Sequence, residues 1–85
     1  NDDPSVRGQI IYDLAKRGGE ESYRIIADGL KDEEMGVRVS ALNGITAGDK
    51  QSIKLLHQAL NDSDATVRSV AQEKLKEFGI TEPEN

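Results

Sequence analysis

The chain contains no cysteine and no tryptophan, and among its 85 residues there are only one phenylalanine, two tyrosines and one histidine. Without cysteine there is no disulfide staple and no thiolate to hold zinc or an iron–sulfur cluster. A single histidine excludes a site built from several imidazoles. Stacking platforms for single-stranded nucleic acid need several rings along a basic groove, and this chain is short of both. Its 11 Lys and Arg stand against 16 Asp and Glu, and the net charge of −5 opposes a general attraction to nucleic acid or anionic membranes. No apolar run approaches the roughly 20 residues of a membrane-spanning helix. No signal-peptide pattern opens the chain. Nowhere does apolar–polar alternation of period two persist over four or more residues, so strands are not expected.

What is present is a repeat. Asp3-Pro4-Ser5-Val6-Arg7, Glu34-Met35-Gly36-Val37-Arg38 and Asp64-Ala65-Thr66-Val67-Arg68 share an acidic residue followed three places later by Val-Arg. The interval is about 30 residues, the mark of a stacked repeat architecture. Four residues after each Val stand Ile10, Ala41 and Ala71; eight after it stand Leu14, Ile45 and Leu75. Glycine follows at Gly18, Gly48 and Gly79. Further along, Tyr23 aligns with Ile53, Ile26 with Leu56, Leu30 with Leu60 and Asp32 with Asp62.

Each unit reads as two amphipathic helices joined by a short turn. Asp3 and Pro4 suit a cap and first helical position, and Val6, Ile10, Ile11 and Leu14 give the first apolar face, which Gly18-Gly19 ends. Glu20 and Glu21 favour the start of a second helix carrying Tyr23, Ile26 and Leu30, with Ile25 and Ala27 beside them, and ending near Lys31-Asp32. Met35, Val37, Ala41, Leu42 and Ile45 form the third face, with Gly48 as its stop and Asp49 as the next cap. Ile53, Leu56 and Leu60, helped by Leu55 and Ala59, form the fourth. Val67, Val70, Ala71, Leu75 and Phe78 form the fifth, closed by Gly79. The expectation is an all-α chain of five helices: repeats at about 2–31, 32–61 and 62–79, then a disordered polar tail over 80–85.

In this pattern of acidic cap, Val-Arg, small or apolar residues at four and eight, glycine turn and Leu-rich second helix ending at Asp, the chain resembles HEAT-like repeat proteins of the phycobilisome-lyase type over about residues 2 to 79. The resemblance implies an α-solenoid, a superhelical stack of about two and a half helical hairpins. It implies a scaffold or binding module more directly than any one activity. Ile10 departs from the pattern, standing where the family usually has a small alanine.

Two groups of residues stand out. Arg7, Arg38 and Arg68 fall in a row, and the resemblance implies a structural ladder in which they reach Asp32 and Asp62; a row of anion-binding Arg is the competing use. The open face of the second helices is where such solenoids present a binding surface. It would carry Glu21, Arg24 and Asp28, then Gln51, Lys54 and Gln58, with His57 at its edge. Metal is not expected, since His57 lacks companions and Asp62-Ser63-Asp64 lacks the later ligands of a calcium loop. No Ser, His and Asp share an activating context, and no phosphate-binding loop is present.

The functional expectation is a non-catalytic protein–protein interaction or scaffold module without cofactor, soluble, its compartment left open with the cytoplasm favoured. Its partner would be another protein or peptide along the second helices, with self-association through the first helix as a further possibility. Nucleic acid and membranes are not expected partners. The chain opens on Asn1 rather than Met, and Gln72, Glu73, Lys76 and Glu77 give the fifth helix a polar outer side. Both suit the C-terminal part of a longer repeat protein. A fragment of a bilin lyase or isomerase subunit is the alternative that the resemblance implies; no residue here is a candidate for its catalysis.

Overall fold

The computed structural model describes residues 3–80. Among them are five α-helices and no strand: α1 Pro4–Ala15, α2 Gly19–Gly29, α3 Met35–Asn43, α4 Lys50–Ala59 and α5 Ala65–Glu77. Asn1, Asp2 and the predicted tail at 81–85 lie outside the described residues.

Local chemistry sets most helix ends. The Asp3 carboxylate accepts the Ser5 N–H at 2.9 Å, and Asp64 accepts those of Thr66 and Val67. These satisfy donors that the first turn of a helix leaves open. Glu34 and Asp49 stand at the same position before α3 and α4, but neither side chain caps its helix. At the far end of α5, Gly79 adopts φ 81°, a left-handed value that suits glycine. The Gly79 N–H then bonds Lys76 O, and Ile80 N–H bonds Leu75 O at 2.8 Å, a Schellman closure. Ile80, placed in the tail by its sequence, is therefore held by main-chain bonds and packs on the core.

α1 packs on α2 and α3, α3 on α2 and α5, and α4 on α2 and α5. The body measures 39 × 27 × 17 Å, with a radius of gyration of 11.8 Å, close to the ~12 Å of a compact chain this long. Its interior is one cluster drawn from all five helices, including Ala15, Ile26, Leu42, Leu56, Ala71 and Leu75.

The tightest seam runs between α1 and α3, and small residues make it. A Cβ on Gly8 would meet Ser40 Oγ at 2.8 Å. A Cβ on Gly44 would collide with the Ala15 Cβ and stand 3.3 Å from Ala41 O. Gly44 is also where α3 stops: it is the C-cap, so the helix ends well before Gly48. The sequence spacing carries the helix to Gly48 because Ile45 continues the apolar face. Ile45 is indeed buried, but from the connection rather than from helix.

Gly44 has φ −75°, which any residue can adopt. Gly44→Ala is thus a purely steric test. It is expected to lower stability by about 2 kcal/mol, as overpacking does. The double variant Ala15→Gly/Gly44→Ala moves the methyl across the seam and should recover much of the loss in urea unfolding.

One expectation about α1 changes. Val6 and Ile10 belong to its predicted apolar face, yet they are 43% and 52% exposed. The buried residues of α1 are Gly8 and Ala15, with Ile11 half-buried beside them. The reason is positional. Val37 and Ala41 stand in the same register on α3, and Val67 and Ala71 on α5, and all four are at 0%. α3 lies on the α1/α2 pair and α5 on α3 and α4. No such pair precedes α1 among the described residues.

Candidate functional site

The recurring arginines and aspartates meet along one edge, where the loops after α2 and α4 turn back into α3 and α5. Arg7 grips Asp32 with two bonds, Nη2 to Oδ1 at 2.9 Å and Nε to Oδ2 at 3.0 Å. This two-pronged geometry is the fit of guanidinium to carboxylate. Asp32 Oδ1 also accepts the Glu34 N–H at 2.9 Å, folding the loop over its own first residue. The Arg7 hydrogen bond first, and the Glu34 N–H second, hold the Asp32 carboxyl below the usual carboxylate range against a small opposing cost of burial.

Arg38 makes the equivalent grip on Asp62. Its Nη2 donates to Oδ1 at 3.2 Å, and its Nε lies 3.0 Å from Oδ2. The Nε–H is not aligned on that oxygen, so the second contact is an ion pair without a hydrogen bond. Asp62 Oδ1 takes the Asp64 N–H at 2.9 Å, repeating the loop lock at Asp32. Arg38 also donates from Nη1 to the main-chain carbonyl of Asp32 at 2.7 Å. One guanidinium thus joins the loop after α2 to the loop after α4. Arg68 repeats the main-chain half, Nη1 to Asp62 O at 2.7 Å. Among the described residues it has no carboxylate partner. The chain brings Arg7, Asp32, Arg38, Asp62 and Arg68 together in one continuous series, and these groups are occupied with each other.

The open face of α2 and α4 is different in kind. Glu21, Arg24, Asp28, Gln51, Lys54 and Gln58 are all exposed. α2 and α4 pack together, and the repeat aligns the two triplets residue for residue. Helical spacing of three and four residues keeps each triplet on one stripe. The one ion pair there joins Arg24 to Glu21 at 3.5 Å, with both side chains at least 70% exposed. Such a pair contributes little, and its members can exchange partners readily. His57 is half-buried in the last turn of α4, beside this stripe rather than on its crest.

Two polar ties went unforeseen from the sequence. The Tyr23 hydroxyl donates to the Asp49 carboxylate, linking α2 to the start of α4. Lys74 Nζ donates to Ile45 O at 3.0 Å, closing a carbonyl beyond the end of α3. Tyr23 aligns with Ile53 and Lys74 with Gly44, so neither tie repeats, and the periodicity that found the ladder could not find them. Among the described residues, no group of three or more His, Asp or Glu is placed to hold a metal ion. No described helix is long and apolar enough to cross a membrane. Compared with protein-family models, curated proteins and solved structures, the chain finds no match in any of the three, and what it does has to be read from its own residues.

Proposed function

We propose that the chain is a non-catalytic protein-interaction module, a short α-solenoid of two and a half HEAT-like hairpins. Its α2/α4 face would receive a peptide or a protein segment. The observation that supports this reading is the contrast between the two polar surfaces. The arginine–aspartate series satisfies itself, whereas the α2/α4 stripe holds Arg24 and Lys54 among polar side chains with weak or no commitments to one another. Lys54 stands between the uncharged Gln51 and Gln58, which favours a partner that presents a carboxylate there within an extended or helical segment, whereas Arg24 is flanked by Glu21 and Asp28. The alternation of packing partners, α1 with α3 with α5 and α2 with α4, supports the stacked-hairpin arrangement.

The test is selection of peptides from a displayed library on the immobilised 85-residue chain. Selected peptides should be enriched in acidic residues. Their affinity should fall at least about tenfold for Arg24→Glu/Lys54→Glu, the scale expected when like charge replaces a cation at a contact. It should not change for Gln72→Glu on the far side of α5. Peptides that bind both variants equally well would place the binding surface elsewhere and overturn the reading.

A further inference from the structure

Arg68 is anchored like Arg38 but serves a different purpose. Arg7 and Arg38 each turn the edge formed by Nε and Nη2 toward one aspartate, Asp32 for the first and Asp62 for the second, at 2.9 to 3.2 Å. Arg38 fixes that edge with its remaining nitrogen, Nη1, which donates to the Asp32 carbonyl at 2.7 Å. Arg68 does the same: its Nη1 donates to the Asp62 carbonyl, also at 2.7 Å and also six residues back. The matching bond and register give the Nε and Nη2 edge of Arg68 the attitude in which Arg38 holds a carboxylate. Among the described residues no carboxylate meets it. Asp62 is engaged by Arg38 and by the Asp64 N–H. Asp64, one turn before Arg68, accepts the Thr66 and Val67 N–H groups instead. Arg68 is half-buried, as Arg7 and Arg38 are, so it is held against the body of the protein.

We infer that this edge of Arg68 is a binding site for a carboxylate of another polypeptide, and that its preferred form is an aspartate held in a tight turn. The two internal ligands define that form. Asp32 and Asp62 each stand just past the end of a helix, in Asp32-Glu33-Glu34 and Asp62-Ser63-Asp64. Each accepts the N–H of the residue two places on, at 2.9 Å, which fixes the carboxylate independently of the arginine. In both, the aspartate comes from a loop beyond a second helix, 25 and 24 residues on. The edge therefore suits a turn laid alongside α5 rather than a residue of α5 itself. The guanidinium is prepared in advance, because its main-chain bond already restricts its rotamers. A planar fork also selects a planar acceptor with two oxygens. The inference is independent of what the α2/α4 face binds.

Proton–nitrogen correlation spectra of the arginine Nε–H groups, recorded at mildly acidic pH, test it with the peptide acetyl-Asn-Asp-Ser-Asp-amide, a copy of residues 61–64. The Arg68 signal should shift with a dissociation constant on the order of a millimolar, the strength one paired contact supports. Arg7 and Arg38 should not move, because their edges are engaged already; these controls need no variant. Asparagine in place of the first aspartate of the peptide should remove the shift. Arg68→Lys keeps the charge and loses the fork. Followed on main-chain N–H signals, its dissociation constant should rise at least about tenfold, the worth of one charge-assisted hydrogen bond. Arg24→Glu/Lys54→Glu should leave the Arg68 response intact, which separates this site from the α2/α4 surface. An Arg68 signal that never moves would overturn the inference. So would equal shifts at all three arginines, or an equal shift with inorganic phosphate, either of which reduces the effect to general charge attraction. A shift of Arg68 in Glu82→Gln/Glu84→Gln without peptide would also overturn it, since the chain would then supply the carboxylate itself.

Discussion

Replacing Asp62 with alanine is expected to cost about 3 kcal/mol of folding stability, the scale on which a largely buried ion pair is missed when one partner alone is removed. Arg38 and Asp62 are only 13% and 12% exposed. The variant would strand a guanidinium that water reaches poorly and would also orphan the Asp64 N–H. For a chain whose whole stability should lie at roughly 4–13 kcal/mol, the loss is large, and the melting temperature should fall by more than about 10 °C. Asp32→Ala should cost less, because its partner Arg7 is 28% exposed and water can take over part of the charge. The double variant Arg38→Met/Asp62→Leu should recover part of the stability, since it removes the stranded charge along with the pair but leaves the Asp64 N–H and the Asp32 carbonyl without their partners. Urea unfolding of the four proteins gives the ranking. A cost below about 1 kcal/mol for Asp62→Ala would mean that the pair behaves as a surface salt bridge, and that the loops after α2 and α4 are held by something else.

The arginines also show what a repeat makes readable. Periodicity places Arg38 and Asp62 on the same edge because each is fixed relative to its own helix, and each helix is fixed by its apolar stripe. The helices themselves were readable for that reason, as were the Asp3 and Asp64 caps and the Gly79 stop. The α2/α4 stripe was readable as an exposed row, since the repeat aligns Arg24 with Lys54 and Asp28 with Gln58. What escaped depends on how closely helices approach. Gly8, Gly29 and Gly44 carry no apolar side chain, so a search for hydrophobic faces passes over them. They nevertheless set the distance between neighbouring helices, and with it which face of α1 is covered. Val6 and Ile10 were placed in the core for the same reason that Val37 and Ala41 were. A pattern within one helix does not say whether a neighbour is present to cover it.

That distinction between a residue's register and its surroundings can be measured at a single position. Leu42 on α3 and Gln72 on α5 occupy the same place in the repeat. Leu42 is at 0% exposure inside the central cluster, and α3 is packed by α1, α2 and α5. Gln72 is exposed, with no helix beyond it among the described residues. Leu42→Ala should therefore destabilise by about 4 kcal/mol, the loss of buried methyl groups plus the cavity they leave. Gln72→Ala should stay within about 0.5 kcal/mol of the parent chain, as surface changes do. The cavity cannot close easily, because α1 and α3 already approach closely at Gly8 and Gly44, where an added Cβ would meet Ser40 Oγ and the Ala15 Cβ. The cost should accordingly lie at the upper rather than the lower end of the range for such truncations, which runs from about 2 to 5 kcal/mol. Equilibrium unfolding in urea, with the slope against denaturant unchanged, is the measurement. Equal effects at the two positions would mean that α5 does not cover α3 as described.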